Sequence, residues 1–155
     1  MPCLFSCNYA VQMPYGRKDV AMGNRAVIEF TDTPIAIYLH WNGGRNSVEA
    51  FLQVARDLRV RTNDPAYRMA RLTQIIGNYF GGTTSVGIGL AEELDRANGD
   101  NGVYVVNPEF EIVERHHMPY KEQSEPHMDD MYSEIMSTNY GVFYPKENKD
   151  EPTTL

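Results

Sequence analysis

Val27-Ile28-Glu29-Phe30-Thr31-Asp32-Thr33-Pro34-Ile35-Ala36-Ile37-Tyr38-Leu39-His40-Trp41 is the stretch that decides the fold. Two β-branched and aromatic runs flank the turn-rich Thr31-Asp32-Thr33-Pro34, and that arrangement predicts a β-hairpin. In the second strand the two-residue period puts Ile35, Ile37, Leu39 and Trp41 on one face, expected to be the core. Ala36, Tyr38 and His40 share the other face.

C-terminal to the hairpin, Asn42-Gly43-Gly44 closes the strand and Asn46-Ser47-Val48-Glu49 has the form of a capping box, Asn46 capping and Glu49 reaching back. Val48, Phe51, Leu52, Ala55 and Leu58 recur at helical spacing, which predicts a first helix over roughly 47–59. Asp64-Pro65 opens a second helix, with aspartate as cap and proline at the first helical position. Ala66, Met69, Ala70, Thr73, Ile76 and Phe80, with Leu72, Ile75 and Tyr79 beside them, give it a wide apolar face ending at Gly81-Gly82. Leu90 to Arg96 is a short helical candidate, and Asn98-Gly99-Asp100-Asn101-Gly102 is a strong turn signal. Residues 102–106 and 110–114 read as strands of a second hairpin joined by Asn107-Pro108-Glu109. The order predicts an α+β domain: an antiparallel sheet of two β-hairpins packed against two or three helices, with an acidic C-terminal helix.

Regular patterning starts just after Met22. Residues 1–21 are therefore expected to be an N-terminal arm, 22–117 the α+β core domain, 118–145 an acidic extension with an amphipathic helix, and 146–155 a disordered tail. The apolar run Cys3-Leu4-Phe5 is too short for a signal peptide, and no stretch approaches the length of a bilayer span, so a cytoplasmic protein is expected. Cys3 and Cys7, the two cysteines, both lie in the arm. They cannot staple the domain, and without a second pair they do not complete a four-ligand metal site.

The formal charge is −7, and it is uneven. Residues 1–117 carry eleven Lys+Arg against thirteen Asp+Glu, whereas residues 118–155 carry three against eight. This balance argues against duplex-DNA binding, which needs a basic footprint, and suits a basic partner. Six arginines fall between Arg45 and Arg71. They could form a local anion site or a solvated helix face with internal ion pairs.

Two groups of residues are candidates for function. His40, Asn42, Gly43, Gly44 and Arg45 form a strand-to-helix loop whose backbone amides could cradle a phosphorylated ligand. The loop lacks the ending of a nucleotide P-loop and the spacing of a dinucleotide fingerprint. His40 has no partner carboxylate or nucleophile at useful spacing, so no catalytic residue is assigned. His116-His117, His127 and Asp129-Asp130 hint at a metal, but adjacent strand histidines point to opposite faces; no metal and no cofactor is expected. At the C-terminal end Met128, Met131, Tyr132, Ile135 and Met136 share one helical face, while Asp129, Asp130, Ser133 and Glu134 share the other. Such a helix can dock on its own domain or on another protein, through Met128, Met131 and Tyr132 and the acids Asp129, Asp130 and Glu134.

The combination of Met22-Gly23-Asn24-Arg25-Ala26-Val27-Ile28, Tyr38-Leu39-His40-Trp41-Asn42-Gly43-Gly44, Ser47-Val48-Glu49-Ala50-Phe51-Leu52 and Asn98-Gly99-Asp100-Asn101-Gly102-Val103-Tyr104 resembles a group of small, largely uncharacterised proteins of phages, prophages and plasmids. The resemblance spans roughly residues 22–115 and implies a mobile-element context, in which small accessory proteins often counter host defence, including as anti-CRISPR proteins. The expected function is then an interaction protein that inhibits a host defence complex, a protein or ribonucleoprotein with a basic surface. The alternatives are a binder or enzyme for a small phosphorylated ligand at the glycine loop, and a homo-oligomeric structural protein.

Overall fold

β1 (Ala26–Phe30) and β2 (Thr33–Leu39) pair antiparallel, with Ile28 opposite Ile37, and the register shifts at Glu29/Phe30 where the chain turns back. The computed structural model that shows this describes residues 23–82 and 85–143; the arm and the tail lie outside the described residues. α1 (Arg45–Asp57) and α2 (Pro65–Phe80) follow, then β3 (Val86–Leu90), a 3-10 turn (Ala91–Glu93), β4 (Val103–Val106), β5 (Ile112–His116) and α3 (Met128–Phe143).

The protein is α+β, and its sheet is mixed, in the order β3-β2-β1-β4-β5. Two expectations are corrected here. β1 and β4 run parallel, so the sheet is not antiparallel throughout. Val86–Leu90 is a strand on β2, and the helical candidate over Leu90 to Arg96 shrinks to the 3-10 turn. Neither pairing is visible in local periodicity, because each depends on segments far apart in the chain.

Alternation along the strands sorts two apolar layers. Ala26, Ile28, Phe30, Ile37, Leu39, Tyr104 and Val106 face the helices and are buried with Val48, Phe51 and Leu52 of α1 and Leu72, Ile75 and Ile76 of α2. Each large side chain removed from water in this way contributes about 1.5–3 kcal/mol. Arg68, fully buried on α2, joins this core to the β1–β2 turn: its guanidinium donates to the Asp32 carboxylate and to the Thr62 carbonyl at 2.5 Å, and lies 4.8 Å over the Phe30 ring. On the opposite face Val27, Ala36 and Val103 are covered by Ala91 and Leu94. Ala36 is thus buried on the second face, whereas Trp41, expected in the core, is only half-buried, with its ring edge-on to His40.

The segment before β4 is held by polar groups. Asn98 and Asn101, both buried, bond the backbone of Gly102 and Arg25, and Arg25 closes on Asp100 at 2.7 Å. Gly102, at φ 67°, has no room for a side chain, since a Cβ would collide with the carbonyls of His116 and His117.

α3 belongs to the same core. Met131 and Ile135 are buried with α1 and α2, and Asn139, also buried, donates to the Ile75 carbonyl at 3.1 Å while accepting from Asn78 at 2.9 Å. The boundary expected at residue 117 therefore does not divide two packing units.

Candidate functional site

The start of α1 brings both candidate groups together. Gly44 is its N-cap and has no side chain to offer, leaving the first-turn amides to find an acceptor elsewhere. Glu125 supplies it: both carboxylate oxygens lie 3.0 Å from the Asn46 N–H, and one is 3.4 Å from the Ser47 N–H. The Asn46 side chain, expected to cap, instead donates to the Pro126 carbonyl at 3.1 Å. The expected capping box is not formed; Glu49 is 4.0 Å from Arg56 within the helix. A carboxylate on exposed first-turn amides is favoured by hydrogen bonding and by the helix dipole, which is why a distant acid can replace a local cap.

The glycines of the loop are explained by the same arrangement. A Cβ on Gly44 would overlap the Glu125 carboxylate, and one on Gly43 would sit 2.5 Å from the Asn24 carbonyl and 2.7 Å from Ala26 Cβ. Asn42 takes the left-handed conformation, φ 54°, and its amide faces the Met131 sulfur at 3.8 Å. The Gly43 carbonyl accepts from the Tyr104 hydroxyl at 2.8 Å. Burial pushes that hydroxyl well above the usual phenol range, so it remains a donor. Arg115 stacks 3.7 Å over the Tyr104 ring and donates to the Asn101 carbonyl at 2.7 Å; burial pulls its guanidinium below the usual value. Arg45 is exposed. Buried Ser47 Oγ and Arg115 Nε have no hydrogen-bond partner among the described residues.

His40 is exposed, with Nδ1 3.1 Å from the Tyr38 hydroxyl. No carboxylate or nucleophile contacts it among the described interactions, so the loop presents no acid-base pair. Its anion position is filled from within the chain.

Four of the six arginines are already engaged within the chain. Arg56 donates to the Phe110 carbonyl and to Gln53, Arg68 is buried with Asp32, and Arg61 and Arg71 each lie 4.8 Å over the Tyr67 ring. Among the described residues no group of three His, Cys, Asp or Glu side chains converges as a metal site would. A shallow groove lined by Glu29, Pro34, Leu90, Ala91, Glu92 and Arg96 has its main polar groups already paired, Arg96 to Glu29 at 2.6 Å.

α3 divides the remaining candidates. Met131 is buried and takes the Tyr79 hydroxyl at 3.5 Å, so it is not available to a partner. Met128 and Tyr132 are half-buried against the core, and the Tyr132 hydroxyl donates to Asp57 at 2.6 Å, a bond that raises its pKa. Asp129, Asp130 and Glu134 are exposed. Sequence reading missed Glu125, which no local pattern marks. It could have noticed Asn139, a polar residue four positions after Ile135 on an otherwise apolar stripe.

Comparison with protein-family models, with curated proteins and with solved structures returned no match for this chain. Among the described residues no helix is long and apolar enough to cross a membrane.

Proposed function

We propose that this chain is a non-enzymatic interaction protein of a mobile element that binds and inhibits a basic host defence complex, using the acidic row of α3. The observation that carries the reading is the division of that helix: Met131 and Ile135 anchor it in the core while Asp129, Asp130 and Glu134 stand exposed. Carboxylates on an anchored helix approach a basic surface with little ordering cost, and a row of one sign steers encounter. The choice of a defence complex as partner rests on the resemblance to phage, prophage and plasmid proteins.

The phosphorylated-ligand reading is weaker, because an incoming anion has to displace Glu125 from the α1 amides. The test is expression of the intact chain in a host with active CRISPR interference, scored by phage plating. Plating is expected to rise with the native chain and not with Asp129→Lys/Asp130→Lys/Glu134→Lys. With purified complex, the triple variant should slow association about tenfold at low salt and flatten its salt dependence. Unchanged plating and unchanged rates in a folded triple variant exclude the acidic row.

A further inference from the structure

The two edges of the sheet are β3 and β5, and only β5 carries features that block further pairing. Its strand includes Glu114, Arg115 and His116, and the β4–β5 register shifts at Val105/Val106. Charges and bulges of this kind keep an edge from templating another strand. β3, Val86-Gly87-Ile88-Gly89-Leu90, has no charge, no proline and no register shift against β2. Ile88 is 54% exposed and Leu90 37%.

The hydrogen-bond phase of β3 follows from one bond. The His40 N–H donates to the Ser85 carbonyl at 2.9 Å, and the register pairs Tyr38 with Gly87 and Ala36 with Gly89. Hydrogen-bonded pairs alternate in an antiparallel ladder, so Gly87 and Gly89 turn their N–H and C=O groups toward β2, and Val86, Ile88 and Leu90 turn theirs outward. The outward groups of Val86 and Ile88 make no backbone hydrogen bond among the described residues. The Leu90 carbonyl opens the 3-10 turn, which leaves its N–H facing the edge.

We propose that β3 pairs with β3 of a second copy of this chain, antiparallel about a two-fold axis at Ile88, joining the two sheets into one. A two-fold interface demands that residue i face j while j faces i, and this strand satisfies the condition about its centre. Ile88 meets Ile88, the glycines at 87 and 89 meet each other, and Val86 meets Leu90. The outward-facing residues are also those the symmetric register would bond. The two Ile88 residues exchange N–H and C=O, and each Leu90 N–H reaches the opposite Val86 carbonyl. Ile35, Ile37 and Leu39 lie across from Leu90, Ile88 and Val86, which places the three exposed-edge side chains on the helix-bearing face. On that face the copies would share an apolar seam. The acids Glu92 and Glu93 fall at opposite ends of the junction, so like charges do not meet. A basic partner peptide has no such match to Ile88 and the flanking glycines.

Sedimentation equilibrium of the full chain over a concentration series should give twice the chain mass at the upper end. Ile88→Lys sets two ammonium groups face to face and should weaken self-association at least tenfold, with the circular dichroism and melting temperature of the monomer retained. Ile88→Pro deletes only an outward N–H, which an edge strand tolerates, and should have the same effect. In a Cys3→Ser/Cys7→Ser background, Ile88→Cys should form a disulfide-linked dimer on mild oxidation, since directly opposed residues in such a pair fall within disulfide reach. Val113→Cys on the other edge should not. A monomer at every soluble concentration overturns the proposal, as does a dimer that survives Ile88→Lys unchanged.

Discussion

α1 and α2 start from similar chemistry and are capped in opposite ways. At α2 the cap is local: Asp64 accepts from the Tyr67 N–H at 3.0 Å, and Pro65 needs no acceptor. At α1 the cap comes from Glu125, 79 residues away from the amide it holds. The α2 start is therefore an autonomous signal, while the α1 start is a tertiary contact that also pins the chain before α3. One loss should be confined to a helix end; the other should be felt by two elements.

The sharpest break is Gly44→Ala. Its methyl group takes the space of the Glu125 carboxylate, so cap and segment are displaced together, and we expect a loss of about 2–3 kcal/mol in urea unfolding. Proteolysis between β5 and α3 should quicken in this variant more than elsewhere. A loss under about 0.5 kcal/mol would mean that Glu125 moves aside freely.

Removing each cap directly sharpens the contrast. Glu125→Ala should cost about 1–2 kcal/mol and Asp64→Ala about 1 kcal/mol. Because the two caps share no partner, the double variant should show the sum to within about 0.5 kcal/mol. Hydrogen exchange should localise the Asp64→Ala effect to the first turn of α2 and spread that of Glu125→Ala into α3.

Acid separates a further tie of the same segment. Gln123 donates to Asp100 at 3.2 Å, and Arg25 holds the other oxygen at 2.7 Å. Burial pushes the Asp100 carboxyl up, but the side-chain and backbone hydrogen bonds from Arg25 more than offset this and leave it below the usual carboxylate value. Its contribution is thus complete above the unfolded pKa of about 3.9 and is lost as pH falls through the lower folded value. Asp100→Asn should lower stability at neutral pH and flatten the acid limb of the melting curve; an unchanged acid limb would dissociate Asp100 from that transition.

The smallest effect is the most diagnostic for the local signal. A functioning capping box at Asn46-Ser47-Val48-Glu49 would make Glu49→Ala cost about 1 kcal/mol. With Glu49 only 4.0 Å from Arg56 along the helix, the expected change is within about 0.5 kcal/mol.

The same division runs through the rest of the molecule. The first hairpin strands, both main helices, the glycine end of α2 at φ 67° and the amphipathic pattern of α3 could be read from spacing, because each is written within a few neighbouring residues. The parallel β1–β4 pairing, the strand at Val86–Leu90 and the burial of Ala36 beneath Ala91 and Leu94 could not. At the candidate site the glycines and the loop position were legible, and the occupant was not. Glu125 sits in a stretch without periodicity, and only folding brings it to the amides of Asn46 and Ser47.

By itself, then, the sequence determined the α+β class, the start of α2 with its own cap at Asp64, and the sign of the charge at the C-terminal end. Tertiary structure decided strand order, which carboxylate fills the glycine loop, and which side of α3 remains outside. The physical reason is range. Propensity, periodicity and local caps act over one or two turns, whereas sheet order and the satisfaction of unpaired amides are settled only when distant segments share a core.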